Sequence, residues 1–195
     1  MVVATGVTVA ARPSFEIIVS AACLSLCAAS APAQEPANSS GAKVRVGVYD
    51  SRAIAVAFGN SEAWQASTGK QLAAMGAEYN AAKAAGNQKR VAELEAQGKA
   101  QQTLVHKQGF STAPVDDILK NIQDKLPEIA KAAGVSAIVS KWDKDALAKY
   151  QSAELVDITM PLVNAFHPTE RQLKFAIDIQ KQAPISLEEA EKMDN

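Results

Sequence analysis

The chain has 195 residues, with 20 Lys and Arg against 21 Asp and Glu and a formal net charge of −1. That balance offers no global field to draw nucleic acid or anionic lipid. Only 5% of residues are aromatic, which favours helices packed through small side chains over a large aromatic core.

Residues 1–33 read as an export signal. Arg12 supplies a weak basic flank, and Ile17 to Ala29 (IIVSAACLSLCAA) is an apolar run too short to span a bilayer. Ala31-Pro32-Ala33 gives the small-x-small pattern, which places cleavage after Ala33. The residues before Cys23 and Cys27 match a lipoprotein signal poorly, so soluble export is favoured over a lipid anchor. Both cysteines fall inside this segment, so the mature chain is expected to have no disulfide, Cys-ligated metal or Cys nucleophile. Loss of Arg12 and Glu16 together leaves the net charge at −1. Residues 34–42 (QEPANSSGA) read as a disordered leader. No later apolar run is long enough for a transmembrane helix.

Val44 to Asp50 (VRVGVYD) alternates as a strand, with Val44, Val46 and Val48 on one face. The one-sided apolar set predicts a sheet with one packed face. Ser51 to Phe58 reads as one or two helical turns that cap the sheet, and Gly59-Asn60 ends them. Ser61 is a good N-cap for a long helix, with Glu62 complementing its dipole. Trp64, Thr68, Leu72, Met75, Tyr79 and Ala82 recur at spacings of three or four, a narrow seam of coiled-coil type. Gly69 and Gly76 interrupt the seam and offer room for a partner helix. Gly86-Asn87 reads as a turn. The return, about Gln88 to Gln108, has a thinner seam of Val91, Leu94, Gly98, Gln101 or Gln102, and Val105.

Gly109 to Pro114 breaks the return, and Asp116-Asp117 sit at the start of a new helix, where its dipole favours carboxylates. Val115, Ile118, Leu119, Ile122, Leu126, Ile129, Ala130 and Ala133 form one apolar stripe, which Pro127 should kink and Gly134 should end. Val135 to Trp142 reads as a second strand whose consecutive Ile138 and Val139 imply cover on both faces. A polar connection leads to a third strand, Leu155 to Thr159, with Val156 and Ile158 as candidate core residues and Thr159 as an N-cap. Leu162, Val163 and Phe166 follow on a short helix. Thr169 with Gln172, and Ser186 with Glu189, fit the capping-box pattern of two further helices. Leu173 and Ile177, with Phe175 or Ile179, could dock the first of these on the core.

The fold class expected is α+β: a small β core interrupted by a long α-helical hairpin arm, residues 61–108, with extra C-terminal helices. The chain has no HExxH, GxSxG, GxGxxG or phosphate-loop motif, and its two histidines, His106 and His167, are far apart. Asp143 and Asp145 resemble the start of a Ca²⁺ loop, but the Gly and closing Glu are missing and turn chemistry explains them. A non-enzymatic chain without metal or cofactor is expected. The arm residues placed to touch a partner are Trp64, Leu72, Met75, Tyr79, Val91 and Leu94. The residues placed to build the core or an oligomer are Val44, Val46, Val48, Ile138, Val139, Val156 and Ile158.

The order of these segments resembles the OmpH/Skp family of periplasmic chaperones. The resemblance rests on Val44 to Tyr49, the returning helix Ile118 to Gly134, Ala137 to Trp142, and Val156-Asp157-Ile158-Thr159. It covers residues 43–166 and leaves a C-terminal helical tail, residues 167–195, without a counterpart. It implies a homotrimer with a shared β body, whose arms enclose unfolded outer-membrane or envelope proteins in the periplasm. A structural envelope adaptor that oligomerises and binds a folded partner is the alternative use of the same layout.

Overall fold

A computed structural model describes residues 43–193; the expected export signal, 1–33, and leader, 34–42, lie outside the described residues. The protein mixes helix and strand around a small parallel sheet, compatible with the α+β class. Strands β1 (Arg45–Tyr49), β2 (Ala137–Ser140) and β3 (Glu154–Asp157) lie in the order β2-β1-β3. Val46 is in register with Ala137 on one side and Leu155 on the other. Parallel neighbours need crossover connections. The first crossover is long and entirely helical or irregular, and the second holds one short helix, α7 (Lys144–Ala148).

The central strand is covered on both faces, which corrects the expectation of one packed face. Tyr49, Ile138 and Ile158 belong to the main core, whereas Val46, Ala137 and Val139 pack with Ala146 of α7 on the opposite side. A parallel sheet hides both faces because its crossovers lay helices over them. Gly47 has a packing reason: a Cβ there would lie 2.6 Å from Ile158 Cδ1 and 3.2 Å from Val135 Cγ2.

The main core is closed by α1 (Ser51–Phe58), α5 (Asp116–Leu119), α6 (Leu126–Ala133), α8 (Thr159–Asn164) and α9 (Glu170–Ile179). Phe58 and Phe166 meet edge to face at 5.8 Å. The stripe from Val115 to Ala133 is not one kinked helix. α5 passes into a 3₁₀ turn at Lys120–Ile122, and α6 begins afresh with Pro127 in its first turn. Proline's missing N–H costs nothing there, so the residue starts a helix instead of bending one. Gly134 closes α6 at φ 65, the left-handed conformation expected of a C-cap glycine. Thr159 is the first residue of α8 and not its cap, and its hydroxyl accepts a hydrogen bond from the Asp50 N–H.

Ser61 caps α2 (Glu62–Trp64), which continues through a π-helical turn, Gln65–Gly69, into α3 (Lys70–Ala84). Gly86, at φ 69, turns the chain into α4 (Gln88–Phe110). α4 runs through Gly109, beyond the break expected there, and its contacts extend past α3 to α1 and to α10 (Leu187–Lys192). Both C-terminal capping boxes form as the sequence indicates. On α9, Leu173, Ala176 and Ile179 face the core, while Phe175 and Ile177 are exposed. The buried set thus steps by three residues, which a 3.6-residue turn brings to one side.

Candidate interaction surface and buried ion cluster

Of the six residues expected to touch a partner, five lie along the facing sides of α3 and α4. Leu72, Met75 and Tyr79 are half-buried on α3, as is Val91 on α4, and Leu94 is buried. A Cβ on Gly98 would meet Met75 Cε at 3.8 Å, and the Tyr79 hydroxyl donates to Glu95 at 3.1 Å. Arg90 of α4 pairs with Glu78 of α3 at 2.7 Å. Trp64 packs instead against the main core. Its ring also fills the space over Gly69, where a Cβ would lie 2.8 Å from Cζ3. Gly69 therefore admits its own tryptophan, and Gly76 has nothing within 4 Å. Outside this seam the two helices present mostly exposed Ala, Gln, Lys and Glu.

The seven sheet residues divide by depth. Val46, Ile138, Val139 and Ile158 are buried, Val48 and Val156 half-buried, and Val44 exposed. Leu155 shares the face of Val46 by register, and Val44 shares it by alternation. Val44 and Leu155 are each 54% exposed, beyond the reach of the five-residue α7. β2 and β3 are the edge strands of the sheet.

A buried ion cluster, not anticipated from the sequence, sits at the carboxyl end of β1. Asp50 caps α1, accepting from the Arg52 N–H at 3.0 Å. The same carboxylate takes the Arg52 guanidinium at 3.1 and 2.8 Å, Lys141 Nζ at 2.7 Å and the Trp142 indole N–H at 3.4 Å. Asp50 is 0% and Arg52 1% exposed. Burial alone would raise the Asp50 pKa, but the hydrogen bonds and charges of Arg52 and Lys141 outweigh it and hold the carboxyl below its usual range. The Trp142 ring lies 5.3 Å from the guanidinium and 4.6 Å from the ammonium, so it screens both cations on its face. An aspartate between a Val-rich strand and an apolar helix was the available signal. The Lys141-Trp142 half could not be read, because it arrives across the sheet from the end of β2.

The cluster sets two cations against one carboxylate, and the excess positive charge falls beside the part-exposed Lys141. Beside it, Tyr49, Asp116, Leu119, Lys120, Gln123, Leu126 and Ile138 line a cleft of about 30 Å³, room for about two waters. Burial, then the Asp116 and Asp143 charges, push the Tyr49 phenol well above its ordinary pKa. Asp116 is itself raised, chiefly by burial. Asp143 caps α7 through the Ala146 N–H, which is turn chemistry as expected. His106 stacks edge to face on Phe110, and His167 lies against Lys125 Nζ. No group of three or more His, Cys, Asp or Glu among the described residues could hold a metal. No helix among them is long and apolar enough to cross a membrane.

No family model, curated protein or solved structure matches the chain.

Proposed function

We propose that the protein is a non-catalytic periplasmic holdase of the OmpH/Skp type, exported and cleaved after Ala33, that binds unfolded outer-membrane or envelope proteins. In this reading residues 61–108 form a hairpin arm, and copies of the chain join through the sheet into a homotrimer. The observation that carries it is the pair α3 and α4. Their mutual seam is thin, with only half-buried Leu72, Met75, Tyr79 and Val91 and buried Leu94, and their outer faces are long, polar and exposed. Such helices bury too little to be explained by core formation, and a weakly apolar, adaptable surface suits transient contact with unfolded chains. The open edges β2 and β3 support sheet-mediated assembly. The test is dilution of a denatured outer-membrane β-barrel into buffer with and without the exported chain. Reduced light scattering at stoichiometric chain is expected; equal scattering would reject the holdase.

The exposed pair Val44 and Leu155 favours a second reading, an envelope adaptor docking a folded partner on the β3 side of the sheet. Affinity capture from envelope extract that returns one folded protein, lost in Leu155→Asp, would select it over the holdase.

A further inference from the structure

The C-terminal tail is held in two different ways. α9 docks through apolar side chains on the main core. The chain then leaves that core through exposed Lys181, Gln182 and Ala183 and reaches the end of α4. There the Ile185 N–H donates to the Phe110 carbonyl at 3.1 Å, and the Ser111 hydroxyl donates to the Ile185 carbonyl at 2.7 Å. Both backbone groups of one residue are thus satisfied by a receiving pair on α4, a pairing open to any residue except proline. α10 then lies along α4. Ala190 is its one buried residue, Glu191 meets Lys107 at 3.0 Å, and Leu187 and Met193 remain about half exposed. Ser111 is completely buried beneath the tail, and Leu104 and Phe110, which flank Lys107 on α4, add partly exposed apolar area.

The geometry points to a peptide-docking surface at the end of α4, occupied in the isolated chain by residues 183–192 as a releasable strap. The partner that fits is a peptide with any residue but proline in the Ile185 place, followed by a helical turn with a small residue towards α4 and an acid opposite Lys107. Among the described residues, the backbone pairing at Ile185, the buried Ala190 and the exposed Lys107–Glu191 ion pair hold the strap on α4, apart from the main core. The inference does not rest on the holdase reading, and its test uses no unfolded client.

The test places Ile185→Pro and Glu191→Lys together in the exported chain. These changes remove the N–H donor and set a like charge opposite Lys107, leaving the receiving residues untouched. A fluorescent peptide of native sequence 183–193 is then titrated by anisotropy. It is expected to bind the double variant at least tenfold more tightly than the unaltered chain, where the strap competes. Equal affinity for the two, or no binding to the variant, overturns the proposal. Hydrogen exchange on the unaltered chain supplies an independent reading should the variant fail to fold. The Ile185 and Ala190 amides are expected to exchange through an opening that leaves α1 and α9 protected. Exchange of these amides only together with the core overturns the strap.

Discussion

Asp50 lies out of solvent between a guanidinium and an ammonium, so removing its carboxylate would leave Arg52 buried without a counter-ion. Asp50→Ala is expected to lower the unfolding free energy by about 3–5 kcal/mol, measured by urea denaturation. Lys141 is a third exposed, and water can replace much of its contact, so Lys141→Ala should cost only about 1 kcal/mol. Equal losses would contradict this division of roles. The pH dependence has a defined sign. The folded pKa of Asp50 lies below its unfolded value of 3.8, so its contribution is complete above that pH. The contribution is lost as pH falls from there through the folded pKa. Asp50→Asn should therefore flatten the acid limb of a stability profile. Asp116 has the opposite sign: its folded pKa is raised, so ionisation at neutral pH opposes folding. Asp116→Asn is expected to raise the urea midpoint at pH 7, with the gain vanishing below the unfolded pKa. No gain at pH 7 would show that its helix-dipole contact outweighs burial.

At the scale of elements, two glycines of similar appearance should respond oppositely. Gly76 sits in the exposed interior of α3 with nothing within 4 Å. Gly76→Ala should stabilise by about 0.5–1 kcal/mol through backbone entropy. Gly134 holds φ 65, and a Cβ there would meet Arg45 Nη1 at 2.7 Å. Gly134→Ala should destabilise by about 1–2 kcal/mol, and thermal melts of the two variants would show shifts of opposite sign. Local signals of this kind were legible in the sequence. The Gly134 cap, the Ser61 cap, the Gly86 turn and both capping boxes depend on neighbours within a few residues. Where the outcome depended on distant partners, sequence reading failed. Pro127 looks like a kink until the chain before it is seen to leave the helix. Val44 looks like Val46 until α7 is seen to cover only one of them. Ile177 looks like a docking residue until Ala176, a weaker apolar signal, proves to be the buried one. Asp50 could be read as a cap, but its tie to Lys141 and Trp142 exists only once β2 lies beside β1.

At the scale of the molecule, α1 ties the parts together. It touches the sheet-side core, α4 and α9, so the placement of the long helices depends on the integrity of the core beneath them. On the holdase reading proposed above, changes that loosen α1 should therefore alter client binding and stability together. Changes on the outer faces of α3 and α4 should alter binding alone. The central claim is that unfolded envelope proteins are held by an assembly of this chain. The most direct measurement is light scattering after size exclusion of residues 34–195, alone and after mixing with a denatured outer-membrane β-barrel. The account predicts a trimer that carries the barrel as a soluble complex of defined mass. A monomer that elutes unchanged while the barrel precipitates would contradict it.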